Sequence, residues 1–301
     1  MRIFSLLLFV ALLAGCGSEQ TPDLGLKRVA DMEAQFAEED SPAAAQKLLD
    51  TYENYVETHP DDAENNSIFL ERAADVHYRG ARFSSTVDVL SQAIRLYPQA
   101  ENAFRMANKM AKVYADHLEQ PEVAQSIWQA MGKAYARHSG IDSIQAKVAN
   151  LPAITVRMDT LLNHTVDVAT GRLSLHGANA YIANAEAYAT IAQADPVSPG
   201  FLFKAAEVAG YVGMYDRSLA LYKRIETNFP AYDKASKALF MQAFIYAENL
   251  GQPEQAKTLY EKFIAKYPND DFADDAQALL DNLGKSDEEI LQGLEAQQQE
   301  Q

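Results

Sequence analysis

The chain has 301 residues, 26 Lys and Arg against 42 Asp and Glu, a formal net charge of −16 and a single cysteine. So acidic a surface repels phosphates, which argues against nucleic acid and anionic headgroups; it serves solubility or a basic partner. One cysteine forms no disulfide within the chain, so the fold must be held by packing.

In chain order, the first element is a targeting segment. Arg2 supplies a positive charge, an apolar run extends from Ile3 to Leu13, and Leu13-Ala14-Gly15-Cys16 closes it with small residues. The run is too short to span a bilayer, and no later stretch reaches about 18 apolar residues. The ending resembles the lipobox of bacterial lipoproteins. The alternative, an ordinary secretory signal, lacks an A-x-A site before a plausible start. The resemblance implies cleavage before Cys16, lipidation of its thiol and a mature chain anchored in a membrane of the bacterial cell envelope. More than one acyl chain makes such anchoring stable. Gly17 stands where an aspartate would favour the inner membrane, so the expected location is the outer membrane.

Residues 16–24 read as a tether, and Leu24 to Phe36 as the first helix. Four times thereafter an aromatic or His precedes Pro at the end of a helical stretch: His59-Pro60, Tyr97-Pro98, Phe229-Pro230 and Tyr267-Pro268. The first two prolines are 38 residues apart, as are the last two. Tyr135 falls 38 after Tyr97, and a sixth stretch ends at Pro196. Seven residues before each stretch end stand Tyr52, Leu90, Trp128, Tyr188, Tyr222 and Tyr260. Four before stand Tyr55, Ala93, Met131, Ile191, Ile225 and Phe263. Eleven before stand Leu48, Thr86, Ala124, Asn184, Ser218 and Ala256. These offsets share one helix face, and the proline ends each helix. Val113 to Ala124 aligns with Ile245 to Ala256 at a constant shift of 132, without a gap. A small-residue helix around Ala205, Ala206 and Ala209 precedes the one around Tyr222, with Gly213 between. The unit is therefore helix, turn, helix, proline.

Residues 137–177 fit no complete unit. They hold Ser143 to Asn150, a helix-like run from Ile154 to Leu162, and a turn over Asp167 to Arg172. A worn repeat and a hinge both fit. Asp271 to Asn282 reads as a closing helix stopped by Gly284. Ser286 to Glu289 is a capping box opening a last helix to about Ala296, before a Gln-rich tail. Such an end keeps a repeat array soluble.

The small, aromatic, apolar and proline steps of Ala256, Tyr260, Phe263 and Pro268 resemble the tetratricopeptide repeat. Ser218, Tyr222, Ile225 and Pro230 match too, as do Thr86, Leu90, Ala93 and Pro98. Leu202 and Leu239 replace the family's first-helix tryptophan, and 38 residues replace its usual 34. The aromatic-Pro repeat ends resemble those of envelope repeat proteins of the outer-membrane assembly lipoprotein and Tol-Pal coordinator types. The resemblance implies an all-α fold, a tetratricopeptide-like helical-hairpin superhelix (an α-solenoid). The expected division is 1–15 signal peptide, 16–24 tether, 25–136 N-terminal repeats, 137–177 degenerate repeat or insertion, 178–283 C-terminal repeats with closing helix, and 284–301 C-terminal helix and tail. It also implies that first helices line a groove for a peptide or a partner's helix. The groove positions are Glu71, Asp75, Tyr78, Arg79, Arg105, Asn108, Lys112, Asp116, Glu207, Tyr211, Phe240, Phe244 and Glu248.

Catalytic and metal signatures are missing from the sequence. His59, His77, His117, His138, His164 and His176 include no i, i+4 pair, and there is no phosphate loop or nucleophile elbow. His59 takes the place of a packing aromatic. The acidic runs at 269–271 and 274–275 precede a helix, where carboxylates favour the positive end, and lack the glycine of a calcium loop. The expectation is a non-enzymatic scaffold without cofactor or metal, binding envelope proteins or peptides and meeting the membrane through Cys16. The alternative is a glycan- or nutrient-binding envelope lipoprotein, although little non-repeat chain remains for a sugar pocket. Residues 137–177 are short for an active site.

Overall fold

The structure, a computed structural model, describes residues 23–167, 170–286 and 288–289. Cys16 and the signal segment lie outside them, as does most of the expected last helix. Fourteen α-helices and one isolated antiparallel bridge make up the described residues. They divide into two compact units, 1–60 and 61–301.

The first unit contributes a hairpin of α1 (Leu24–Glu38) and α2 (Pro42–Thr58). Asp23 caps α1 by accepting from the N–H groups of Gly25 and Leu26; Ser41 caps α2, with Pro42 in its first turn. Tyr52 and Tyr55, the expected inward positions, are buried. The Tyr52 hydroxyl donates to Glu33 at 2.6 Å across the hairpin. His59 stacks on Tyr55 with ring centroids 4.2 Å apart, as expected of a residue in an aromatic's place.

The second unit begins with the hairpins α3 (Ala63–Arg79) with α4 (Phe83–Leu96), and α5 (Ala103–Asp116) with α6 (Pro121–Ala134). The middle holds α7 (Ile141–Val148), α8 (Ile154–Asn163) and α9 (Leu175–Ile191). Then come α10 (Ser198–Tyr211) with α11 (Tyr215–Asn228), α12 (Ala235–Phe244) with α13 (Pro253–Lys266), and the closing α14 (Ala273–Asp281). Each hairpin packs on the next, giving the expected all-α solenoid. Leu90, Tyr222, Ile225, Tyr260 and Phe263 are buried, with the small Thr86, Ala124, Ser218 and Ala256 beneath them. Leu202 and Leu239 are fully buried where the family has tryptophan. Trp128 departs from the pattern: it is half-buried, donating to Asn108 with Lys147 over its ring.

One turn joins the repeats. His59, Tyr97, Tyr135, Phe229 and Tyr267 each leave the helix with φ between −121° and −131° and donate to the carbonyl four residues back. Their ψ of +33° to +59° lies outside the helical region, which a following proline disfavours, and four of the five have one. Ala100 and Ala103, His138 and Ile141, Tyr232 and Ala235, and Asp270 and Ala273 then repeat the same pair of hydrogen bonds, each donating three residues back. The 132-residue duplication is equally visible in the backbone. Leu118 donates to Val113 and Gln120 to Tyr114; Leu250 donates to Ile245 and Gln252 to Tyr246. The second copy widens into a π turn over Ile245–Asn249.

Repeat four breaks the rhythm. Its α7 enters through the same turn and buries Ile141 and Ile144, but ends after eight residues. After α8, Asp167 N–H donates to Arg172 O at 2.8 Å, beside the Val166–Leu173 bridge and Gly171 at φ +67°. In α9 the sequence alignment needs correction. The helix leaves at Ala192, not beside Pro196: Ala192 donates to Tyr188, and Asp195 and Ser198 complete the joining turn. Tyr188 is thus the counterpart of Ile225, three residues from its expected place. Pro196 lies inside the turn, where it ends no helix. At the C-terminus, Ser286 and Glu289 exchange the hydrogen bonds of a capping box.

Candidate functional site

The first helices α3, α5, α10 and α12 carry twelve of the thirteen expected groove residues and the π turn after α12 carries Glu248; the structure sorts them by how far neighbours already occupy them. Glu71 is buried. Arg105 grips it with two bonds of 2.6 Å, Nε to Oε1 and Nη2 to Oε2, and Asn102 adds a third at 2.9 Å. Burial would raise the Glu71 carboxyl, but the hydrogen bonds from Arg105 and Asn102 outweigh it and hold the group below its ordinary value. Glu71 is therefore a clamp between α3 and α5 and presents nothing to a partner. Asp75 pairs with Lys109, and the Tyr78 hydroxyl meets His117 Nε2 at 2.9 Å. Asn108 accepts from Trp128. Arg79, Lys112 and Asp116 are exposed.

On the later repeats, Glu207 pairs with Lys204, while Tyr211 is 70% exposed at the end of α10. Phe240 is core: it is buried against Tyr260, Phe263 and Phe272. Its face of α12 turns toward α13 and α14, which removes it from any groove. Phe244 is half-buried and Glu248 exposed. The residues left to meet a partner are Tyr211 with the charged Lys112, Asp116 and Glu248, and the partly occupied Tyr78.

Sequence reasoning missed a cleft of about 990 Å³ where repeat four breaks the rhythm. The N-terminal end of α6, one side of α8 and the first turns of α9 line it, with Met214 and Arg217 behind. Arg157 anchors α8 to α6. Its Nη1 donates to Gln129 at 2.6 Å and to Ser126, and its Nη2 donates to the Glu122 carbonyl. Burial lowers its pKa. Ser126 in turn donates to Asn184 of α9 at 2.6 Å. At the mouth, Gly177 lets α9 approach His164 so closely that a β-carbon would sit 1.9 Å from the His164 carbonyl oxygen. Val156, Leu173 and Leu175 stand exposed on the same segment. His164 and His176 both line the cleft, but no group of three or more His, Cys, Asp or Glu suited to a metal exists among the described residues. No described helix is long and apolar enough to cross a membrane.

Helix–turn–helix units joined by one recurring turn, with polar and aromatic side chains displayed along the first helices, define a helical-repeat protein of the tetratricopeptide type. Residues 237–270 match the family model of the tetratricopeptide repeat, a span that takes in most of α12, its π turn and all of α13. No curated protein matches the chain.

Proposed function

We propose that this protein is a non-enzymatic scaffold of the bacterial cell envelope, lipid-anchored through Cys16 in the outer membrane, which holds protein or peptide partners on its first-helix face. The observation that carries the reading is the stacked hairpin array with a tetratricopeptide repeat at 237–270, since repeats of this type serve protein–protein interaction. Tyr211, 70% exposed at the end of α10, is of a residue type enriched in binding hot spots. The Leu13-to-Cys16 sequence supports the anchor.

In-cell crosslinking of the full chain, followed by identification of captured proteins, tests the scaffold. Tyr211→Ala should reduce capture of the principal partner about tenfold while leaving thermal stability unchanged, because so exposed a side chain contributes little packing. Capture that survives the substitution would remove Tyr211 from the site. Retention of polysaccharide with no protein partner would replace the scaffold by the glycan-binding alternative. For the anchor, Cys16→Ala should move the protein from the membrane to the soluble fraction, and an unlipidated wild-type N-terminus by mass spectrometry would refute it.

A further inference from the structure

A smaller cavity of about 190 Å³ is lined by α4, α5, α9 and α11. Arg95, Arg217 and Arg224 reach it, together with Glu186, Thr190 and Tyr114. Asp88 is the only other carboxylate in its lining, so three guanidinium groups face two carboxylates in a chain whose overall charge is −16. Arg217 is already engaged by Glu186. Arg224 is engaged only at one end. Its Nη2 donates to Thr190 Oγ1 at 3.2 Å, while its Nε is buried without a hydrogen-bond partner. Arg95, exposed at the rim, makes no hydrogen bond or ion pair among the described residues.

A buried guanidinium with an unmatched N–H is a rarity in a folded chain and calls for an acceptor. Burial and the positive charge of Arg95 bring the Arg224 pKa down to about 10, so it stays a cation at neutral pH. Burial pushes the Tyr114 phenol up to about 12, which keeps it a neutral hydrogen-bond donor. The guanidinium groups of Arg95 and Arg224, both in the lining, are planar forks of the kind that matches an oxyanion. The volume equals that of about six waters at ~30 Å³ each, enough for a phosphate or a short dicarboxylate.

We infer that this cavity binds a small oxyanion, held between Arg224 in the wall and Arg95 at the rim, with the Thr190 and Tyr114 hydroxyls beside it. The anion would join α4, α9 and α11, which come from three different repeats, at the level where repeat four departs from the common geometry. Because Glu186 competes for the same arginines, removing its charge strengthens the site.

The test uses the full chain purified in detergent, titrated with inorganic phosphate and separately with succinate, against chloride at matched ionic strength. Calorimetry should show one saturable site for at least one of the two, with a thermal midpoint rising with its concentration. Phosphate binding alone identifies a phosphate site, and succinate binding alone a carboxylate site. Arg95→Met should weaken binding at least tenfold; as an exposed residue its replacement leaves folding intact, even where Arg224→Met does not fold. Glu186→Gln should tighten binding about threefold. Absence of saturable binding for both anions, or unchanged affinity in Arg95→Met, overturns the inference.

Discussion

Two turns inside the repeats place an ordinary residue where only glycine is at ease. Gly213 and Gly251 precede α11 and α13 with φ of +78° and +60°; Ala81 and Glu119 occupy the same position before α4 and α6 at +53° and +55°. A left-handed conformation costs an L-residue about 1–2 kcal/mol, part of which glycine returns through its freer unfolded chain. Ala81 is exposed, so Ala81→Gly should stabilise the protein by about 0.5–1 kcal/mol in urea denaturation. A loss of stability would mean that the Ala81 methyl makes a contact worth more than the strain. Glu71 makes a prediction about pH. Its folded pKa lies below its ordinary value of 4.5, so its clamp contributes fully above that value and is lost as pH falls through the folded pKa. The stability difference between wild type and Glu71→Gln should therefore be largest near pH 7 and shrink below pH 4.5. A difference independent of pH would show that the charge of Glu71 adds nothing to the clamp.

Between elements, close approach matters more than residue type. Gly177 sits where α9 meets the end of α8, and Gly177→Ala forces the two apart because backbone, not a flexible side chain, stands in the way. Overpacking of this kind costs about 1–3 kcal/mol. The variant should lose that much in thermal or urea unfolding, while Gly132→Ala, with open space around its β-carbon, should not. An unaffected Gly177→Ala would show that the cleft mouth is loose. The repeating helices were legible in the sequence because burial recurs at fixed offsets: Tyr222, Tyr260, Ile225 and Phe263 announce their face through spacing alone. The exit of α9 was not, because Pro196 imitates the proline of the other units while lying four residues beyond the true end at Ala192. The cleft was not legible either. It is made by what α8 fails to fill, and an aperiodic insertion leaves no pattern to read. Among the groove residues, Phe240 and Glu71 lie on first helices as expected, but helix membership does not reveal the rotation that buries the one and clamps the other.

At the scale of the molecule, a repeat array held together mainly between neighbours, with α4 against α9 as the exception, has a mechanical signature. The residues leaving the second helices lie 38 apart from His59 to Tyr97, from Tyr97 to Tyr135 and from Phe229 to Tyr267, whereas 57 separate Tyr135 from Ala192. At about 3.4 Å per extended residue, an ordinary repeat holds about 13 nm of chain and the fourth about 19 nm. Stretched between its ends in an optical trap, the protein should lengthen in steps whose contour gains cluster near the first value, with one near the second. A single cooperative rip would contradict independent repeats. Under the proposed arrangement, anchored at one end and loaded by a partner at the other, the joining turns would act as the gradations of a ruler with one longer interval. Under load, the fourth repeat would supply the most slack.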